Sequence, residues 1–100
     1  MLNAVRALIV AAALGHGVNP AVMDEMARCE STYNQFAVNE PNLGLFQLSR
    51  QGKLPAFYAR GYTDVFDPAQ QSNFTAEQLL DGQGGAWTCY PRWLPLLVAP

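Results

Sequence analysis

The first part of the chain is apolar, and its apolar residues recur at helical spacing. Intervals of three and four residues separate the apolar positions Leu2, Val5, Ile9, Ala12 and Ala13. This spacing places side chains on one face of a helix. Gly15 and Gly17 follow, and glycine is favoured where a helix ends. The pattern predicts a buried first helix that is rich in alanine.

The same segment has a second interpretation. Arg6 precedes an apolar run over 7–14 that contains many small residues, as in a secretory signal peptide. The run is shorter than the roughly 20 apolar residues that a membrane-spanning helix needs, so we expect no stable membrane span. We favour the core helix, because no small-residue cleavage pattern is followed by a polar start.

Two later helices have the same local start sequence. Asn19 and Asp67 are each followed by proline, and Asn or Asp at the N-cap with proline at the first helical position is typical of a helix start. We expect helices from about 20 to 30 and from 68 to about 81, where glycines follow. A shorter helix is predicted over 54–60, and we expect Leu79 and Leu80 to lie on the inner face of the last long helix.

The region between these helices predicts a small β element. Residues 31–42 are polar and rich in turn residues, whereas 43–48 form a short apolar run with β character. The expected fold class is therefore mainly α (α+β), with four to five helices and a very small β element. Since no linker interrupts the chain, we assign one domain to 1–90 and a proline-containing apolar tail to 91–100. The tail either docks on the domain or continues into a longer chain.

Composition excludes several classes of function. The chain has 100 residues, of which 50% are hydrophobic and 14% charged, with a net charge of −2. This balance is unlike that of a disordered chain, and the shortage of basic residues argues against nucleic-acid binding. The single His and two Cys are too few for an ordinary four-ligand zinc site without carboxylates. We predict no metal and no cofactor.

The chemically informative residue is Glu30, at the end of the predicted second helix and next to Cys29. It could be an ordinary exposed glutamate at a helix end. Alternatively, a glutamate in a partly apolar groove has its charged form disfavoured. Its pKa then rises, and it can act as a general acid near neutral pH.

The order of motifs resembles that of the soluble lytic transglycosylases, within the lysozyme-like superfamily. The shared features are G-V-x-P at 17–20, the E-S pair at 30–31, an A-V-S-like loop at 37–39, a G-L-M-Q-like strand at 44–47 and D-P at 67–68. The end of the chain resembles the resuscitation-promoting factors, which combine a C-E-S motif with a closing G-x-G-A-W-x-x-C. Here the corresponding segments are 29–31 and 82–89, with one residue instead of two between Trp87 and Cys89.

This resemblance implies a compact lysozyme-like fold that binds the glycan strands of peptidoglycan in a groove. Glu30 would be the catalytic acid at the β-1,4 bond between N-acetylmuramic acid and N-acetylglucosamine. A hydrolase usually adds a second carboxylate, and none of the candidates Glu40, Asp64, Asp67 and Asp81 fits that role well. The prediction is therefore a lytic transglycosylase that releases 1,6-anhydro products. The alternatives are a hydrolytic muramidase, or a catalytically weak glycan-binding or structural module, since the family's A-Y-N-A-G tyrosine motif is absent.

The resemblance also implies which residues contact the glycan. Gln47 matches the family's glycan-contacting glutamine, and its amide can both donate and accept hydrogen bonds. For Ser31 and Phe46, local backbone bonding and core packing are equally good interpretations. The full set of expected substrate-binding residues is Ser31, Asn39, Phe46, Gln47, Trp87 and Tyr90. Of these, Trp87 and Tyr90 are expected to stack on sugar rings.

In the resuscitation-promoting factors the cysteines that match Cys29 and Cys89 form a disulfide, so the resemblance implies the same pair here. Two free buried thiols are the alternative. The disulfide would be worth about 4 kcal/mol in the chain-entropy model, which is a large share of a small domain's stability.

The expected partner is peptidoglycan. The expected location is extracytoplasmic, in the cell envelope, periplasm or medium, or else on a virion. A compact muralytic domain that begins at its own Met1 would suit a phage tail, where other tail proteins would be further partners.

Overall fold

Four α-helices and one 3-10 helix account for about half of the residues that the structure describes. The computed structural model describes residues 2–99. The helices are α1 (Leu2–Gly15), α2 (Pro20–Ser31), α3 (Lys53–Ala59), α4 (Pro68–Leu80) and the 3-10 helix Gly84–Ala86. The mainly-α prediction is confirmed, and the predicted helix bounds agree with these to within about two residues.

The starts of α2 and α4 follow from local chemistry. Asn19 and Asp67 are the N-caps, and their side-chain oxygens accept hydrogen bonds from the backbone N–H groups of Ala21 and Ala69. Each satisfies one of the free N–H groups at the helix start. Proline at the next position lacks an N–H that would need a partner.

Helix α1 is part of the core. Its buried face carries Val5, Ile9 and Ala13, and it packs against both α2 and α4. Burial therefore confirms the predicted periodicity from Val5 to Ala13, whereas the side chain of Leu2 lies outside the described part of the structure. Within residues 2–99, the helices are too short or too polar to cross a bilayer.

The β element is a small antiparallel sheet of three strands in chain order. The strands are β1 (Val38–Asn39), β2 (Asn42–Leu43) and β3 (Leu48–Ser49). Val38 is paired with Leu43, and Leu43 is paired with Leu48. The apolar run 43–48 is thus not one extended strand, because the chain turns between Gly44 and Gln47. Both residues have positive φ, at 83° and 54°.

The core lies between α1, α2 and α4 and continues beneath the sheet. Its largest fully buried apolar side chains are Phe46, Phe57, Phe74, Ile9, Met23, Met26, Leu45, Leu48 and Leu79. Leu80 is 44% exposed, so the prediction that it shares the inner face of α4 with Leu79 is wrong. One residue corresponds to about 100° around a helix, and the buried face of α4 instead passes through Gln71, Phe74, Thr75 and Gln78.

The apolar tail docks on the turn between α1 and α2. The Asn19 backbone N–H donates to Leu96 O at 2.7 Å, and its side-chain amide donates to Pro95 O at 2.9 Å. Val18 and Leu97 form an isolated antiparallel bridge. The tail is therefore docked on the domain through Pro95, Leu96 and Leu97.

Candidate functional site around Glu30

Glu30 lies in the last turn of α2, where the backbone changes direction abruptly. Thr32 and Tyr33 adopt left-handed conformations, with φ of 51° and 61°. The hydroxyl of Tyr33, just beyond the end of α2, donates to Asp24 Oδ2 in that helix at 3.0 Å. This contact anchors the chain directly after Glu30.

The predicted disulfide between Cys29 and Cys89 is present, with a Cα–Cα distance of 5.8 Å. It joins the end of α2 to a segment 60 residues later in the chain. The backbone N–H of Cys89 donates to Glu30 Oε2 at 3.4 Å. The disulfide therefore brings the segment that follows the 3-10 helix next to the carboxyl group.

Burial raises the pKa of Glu30, and the hydrogen bond from Cys89 opposes that rise only in part. A partly buried carboxyl group loses hydration, which disfavours its charged form. Glu30 thereby retains its proton to higher pH than an exposed glutamate, which suits a proton donor.

Ser31 connects the C-terminal end of α2 to the turn between β2 and β3. Its hydroxyl donates to Leu45 O at 2.7 Å, and a longer contact of 3.3 Å reaches Ala27 O in the helix. The hydroxyl hydrogen is thus directed toward main-chain carbonyls. Ser31 positions Glu30 relative to this turn through the backbone.

Two of the expected glycan-binding amides lie together. Asn39 Nδ2 donates to Gln47 Oε1 at 3.0 Å, and Gln47 Nε2 donates to Gly44 O at 2.9 Å. Asn39 is exposed and Gln47 is partly exposed. Gln47 lies in the turn before β3, and not in a strand as expected, because its backbone is left-handed.

The expected glycan contacts of Phe46 and Trp87 are corrected by their burial. Phe46 is 0% exposed and Trp87 is 3% exposed, so neither ring can stack on a sugar in this conformation. The Trp87 indole N–H donates to Phe46 O at 2.8 Å. These two residues join the β2–β3 turn to the segment that carries Cys89. Tyr90 remains partly exposed.

Gln71 is central to this region, but it is not among the site residues that were predicted from the sequence. It is fully buried. Its Oε1 accepts from the Phe46 N–H at 2.8 Å, while its Nε2 donates to Leu43 O at 3.0 Å and to Val65 O at 2.7 Å. The helical spacing of 71, 74, 75 and 78 could have revealed it, because this spacing places Gln71 on the same face as Phe74.

The candidate second carboxylates have structural partners elsewhere. Glu40 pairs with Arg50 and Asp81 with Arg60. Asp67 caps α4, and Asp64 accepts from the backbone N–H of Phe66. In the part of the chain that the structure describes, no three or more His, Cys, Asp or Glu side chains cluster as metal ligands would.

Comparisons of the chain with protein-family models, curated proteins and solved structures found no match. The functional argument therefore rests on the order of the sequence motifs and on the geometry around Glu30.

Proposed function

We propose that this protein cleaves the β-1,4 bond between N-acetylmuramic acid and N-acetylglucosamine in peptidoglycan, with Glu30 as general acid and then general base. The observation that carries the proposal is the state of Glu30. Its carboxyl group is partly buried, its pKa is raised, and its hydrogen bond comes from the neutral N–H of Cys89. Glu30 forms no ion pair with any residue in the range 2–99.

In the first step, protonated Glu30 donates its proton to the bridging oxygen. The glycosidic C–O bond breaks, N-acetylglucosamine leaves with a free 4-hydroxyl group, and positive charge develops on the muramic acid ring. Glu30 is then a carboxylate. In the second step the 6-hydroxyl of the same ring attacks C1 and Glu30 accepts its proton, so a 1,6-anhydro product forms and Glu30 is regenerated.

Transglycosylation is favoured over hydrolysis because the other candidate acids already have structural partners. A retaining hydrolase needs a second carboxyl group about 5 Å from the acid, and an inverting one needs it at up to about 9.5 Å. The candidates are engaged in ion pairs or in local caps and turns. The intramolecular 6-hydroxyl supplies the nucleophile without such a residue.

Glycan recognition would use neutral groups. The amides of Asn39 and Gln47 are accessible and already hydrogen-bond one another, so a sugar hydroxyl or acetamido group can replace one amide partner. Tyr90 offers a partly exposed ring next to Cys89. The disulfide is consistent with an extracytoplasmic or virion-borne protein, because disulfides persist in oxidising compartments.

The test is to incubate the purified protein with peptidoglycan and to identify the soluble products by mass spectrometry. We expect anhydro-muropeptides from the wild type and none from Glu30→Gln. Glu25→Gln is the matched control, because Glu25 lies on the same helix and pairs with Arg28.

Reducing-end products would show a muramidase instead. Absence of any release by the wild type, with the protein still sedimenting with the cell wall, would overturn the enzymatic proposal in favour of a glycan-binding module. An active Glu30→Gln variant would show that Glu30 is not the acid.

A further inference from the structure

Two positively charged side chains, those of Lys53 in α3 and of Arg92, contact aromatic rings that flank Cys89 in the segment after the 3-10 helix. Lys53 Nζ lies 5.2 Å from the centre of the Trp87 ring, and Arg92 Cζ lies 5.8 Å from the centre of the Tyr90 ring. Trp87 is two residues before Cys89 and Tyr90 is one residue after it. At no more than about 3.6 Å per residue, both lie within about 7 Å of Cys89 along the backbone.

These two cations differ from the other basic side chains. Arg6, Arg28, Arg50 and Arg60 each form a salt bridge with an aspartate or glutamate. Within residues 2–99, neither Lys53 nor Arg92 has a carboxylate within salt-bridge distance. The two positive charges that have no counter-ion in the described part of the chain therefore both lie against the segment that contains Cys89.

The contacts of Lys53 orient its ammonium group without neutralising it. Nζ donates to Gln78 Oε1 at 2.6 Å and reaches Gln83 Oε1 at 3.5 Å. Both acceptors are neutral amides. Burial, together with the positive charge of Arg60, lowers the pKa of Lys53, so its charged form lacks full compensation in the protein alone. A negatively charged ligand would supply that compensation.

Arg92 lies in the chain segment that follows Cys89. A Cβ placed on Gly85 would be 3.8 Å from Arg92 Nη2, so the guanidinium group is also close to the 3-10 helix. It is exposed, and a planar guanidinium group can bind a carboxylate through two hydrogen bonds.

We propose that Lys53 and Arg92 form a subsite for the carboxylate groups of the peptide stem of peptidoglycan. This inference rests on the proposed function, because the stem is attached to the muramic acid ring whose bond Glu30 would cleave. The stem extends from the lactyl group of that ring, and it carries free carboxylates along its length. The proposed glycan contacts of Asn39 and Gln47 are neutral amides. The peptide stem is therefore the part of the substrate whose negative charge matches Lys53 and Arg92.

The test measures binding, so that it does not depend on catalysis. The probes are purified glycan strands with intact peptide stems, and the same strands after an amidase has removed the stems. With Glu30→Gln as the parent, we expect stem-bearing strands to bind about three- to tenfold more tightly at low salt, which is the range for charge-assisted contacts at a partly exposed site.

Lys53→Met should abolish this preference, Arg92→Gln should reduce it, and Lys53→Arg should preserve most of it. Arg6→Gln is the control, since it removes one positive charge that is already paired with Asp24 and should keep the full preference. Circular dichroism confirms that each variant folds.

Equal binding of both kinds of strand, or an equal loss of preference in Arg6→Gln and Lys53→Met, would overturn the subsite. Cleavage by the wild type is scored separately. Cleavage without a binding preference would overturn the subsite proposal and would still support the proposed function. A Lys53-dependent binding preference for stem-bearing strands, without cleavage, would overturn the proposed activity and would still support the subsite.

Discussion

The side-chain amide of Gln71 fills the space that a side chain at position 44 would need. A Cβ built on Gly44 would lie 2.1 Å from Gln71 Nε2 and 3.0 Å from Val65 O. The backbone of Gly44 is also left-handed, with φ of 83°. The glycine and the buried glutamine are therefore interdependent, and together they hold the turn that carries Phe46 and Gln47 next to the end of α2.

This relationship can be measured with a double-mutant cycle. Gln71→Ala leaves buried backbone groups at 43, 46 and 65 without their partner and should lower the free energy of unfolding by about 3 kcal/mol or more. Gly44→Ala should also destabilise, through its backbone conformation and the clash. The double variant should lose about 1 kcal/mol less than the sum, because removing the glutamine removes the clash. Strict additivity in urea unfolding would contradict the interdependence.

Loss of the disulfide should lower stability by about 4 kcal/mol, since the bond closes a loop of some 60 residues in the unfolded chain. The measurement is denaturant unfolding of the wild type against Cys29→Ala combined with Cys89→Ala. The wild type under a strong reductant should lose a similar amount. A loss below about 1 kcal/mol would show that packing alone holds the two segments together.

Thr75→Val should stabilise the protein. The hydroxyl of Thr75 is buried, and within residues 2–99 it has no hydrogen-bond partner. Valine keeps the branched shape and removes the desolvated polar group, for a gain of about 1 kcal/mol, or about 4–8 °C in Tm for a domain of this size. Thr88 is exposed, so Thr88→Val should change stability by less than about 0.5 kcal/mol. A destabilised Thr75→Val variant would mean that the hydroxyl has a partner in solution.

The pH dependence of activity should reflect the raised pKa of Glu30. The first step needs the protonated acid, so the rate should fall as pH rises through this pKa, and the fall should lie above the range of an ordinary exposed glutamate. The measurement is the initial rate of release of soluble muropeptides across pH. A fall centred at or below the usual glutamate pKa would contradict the role of burial.

Stability should depend on Glu30 with a defined sign. The folded state binds the proton of Glu30 more tightly than the unfolded state does. The associated stability is therefore present below the unfolded pKa and is lost as pH rises through the folded pKa. Glu30→Gln cannot ionise, so it should be more stable than the wild type at neutral pH, and this advantage should shrink as the pH is lowered.

Glu25 provides a control of opposite sign. The hydrogen bond from Arg28 lowers the pKa of Glu25, so its contribution is present above the unfolded pKa and is lost as pH falls through the folded pKa. Glu25→Gln should therefore lower stability at neutral pH and lose its effect in acid. Thermal unfolding of both variants across pH checks the pair, and the same trend in both would contradict the assignment for Glu30.

The sequence by itself determined the features that depend on neighbours along the chain. The caps at Asn19 and Asp67 set the starts of α2 and α4, and the apolar spacing in α1 predicted its buried face. The order of the motifs pointed to Glu30 and to the disulfide. Such features need only local hydrogen bonds, a helical period or a recognisable pattern, so they can be predicted before the chain is folded.

Only the tertiary structure decided which side chains are available to a ligand. Aromatic rings are suited both to cores and to sugar binding, and their burial depends on distant parts of the chain. Trp87 is buried because its indole N–H reaches Phe46 O, 41 positions earlier. Gln71 matters because α4 brings it against the β2–β3 turn. Glu30 has a raised pKa because the folded chain partly buries its carboxyl group. Desolvation and hydrogen-bond satisfaction depend on such long-range contacts, which spacing along the chain does not contain.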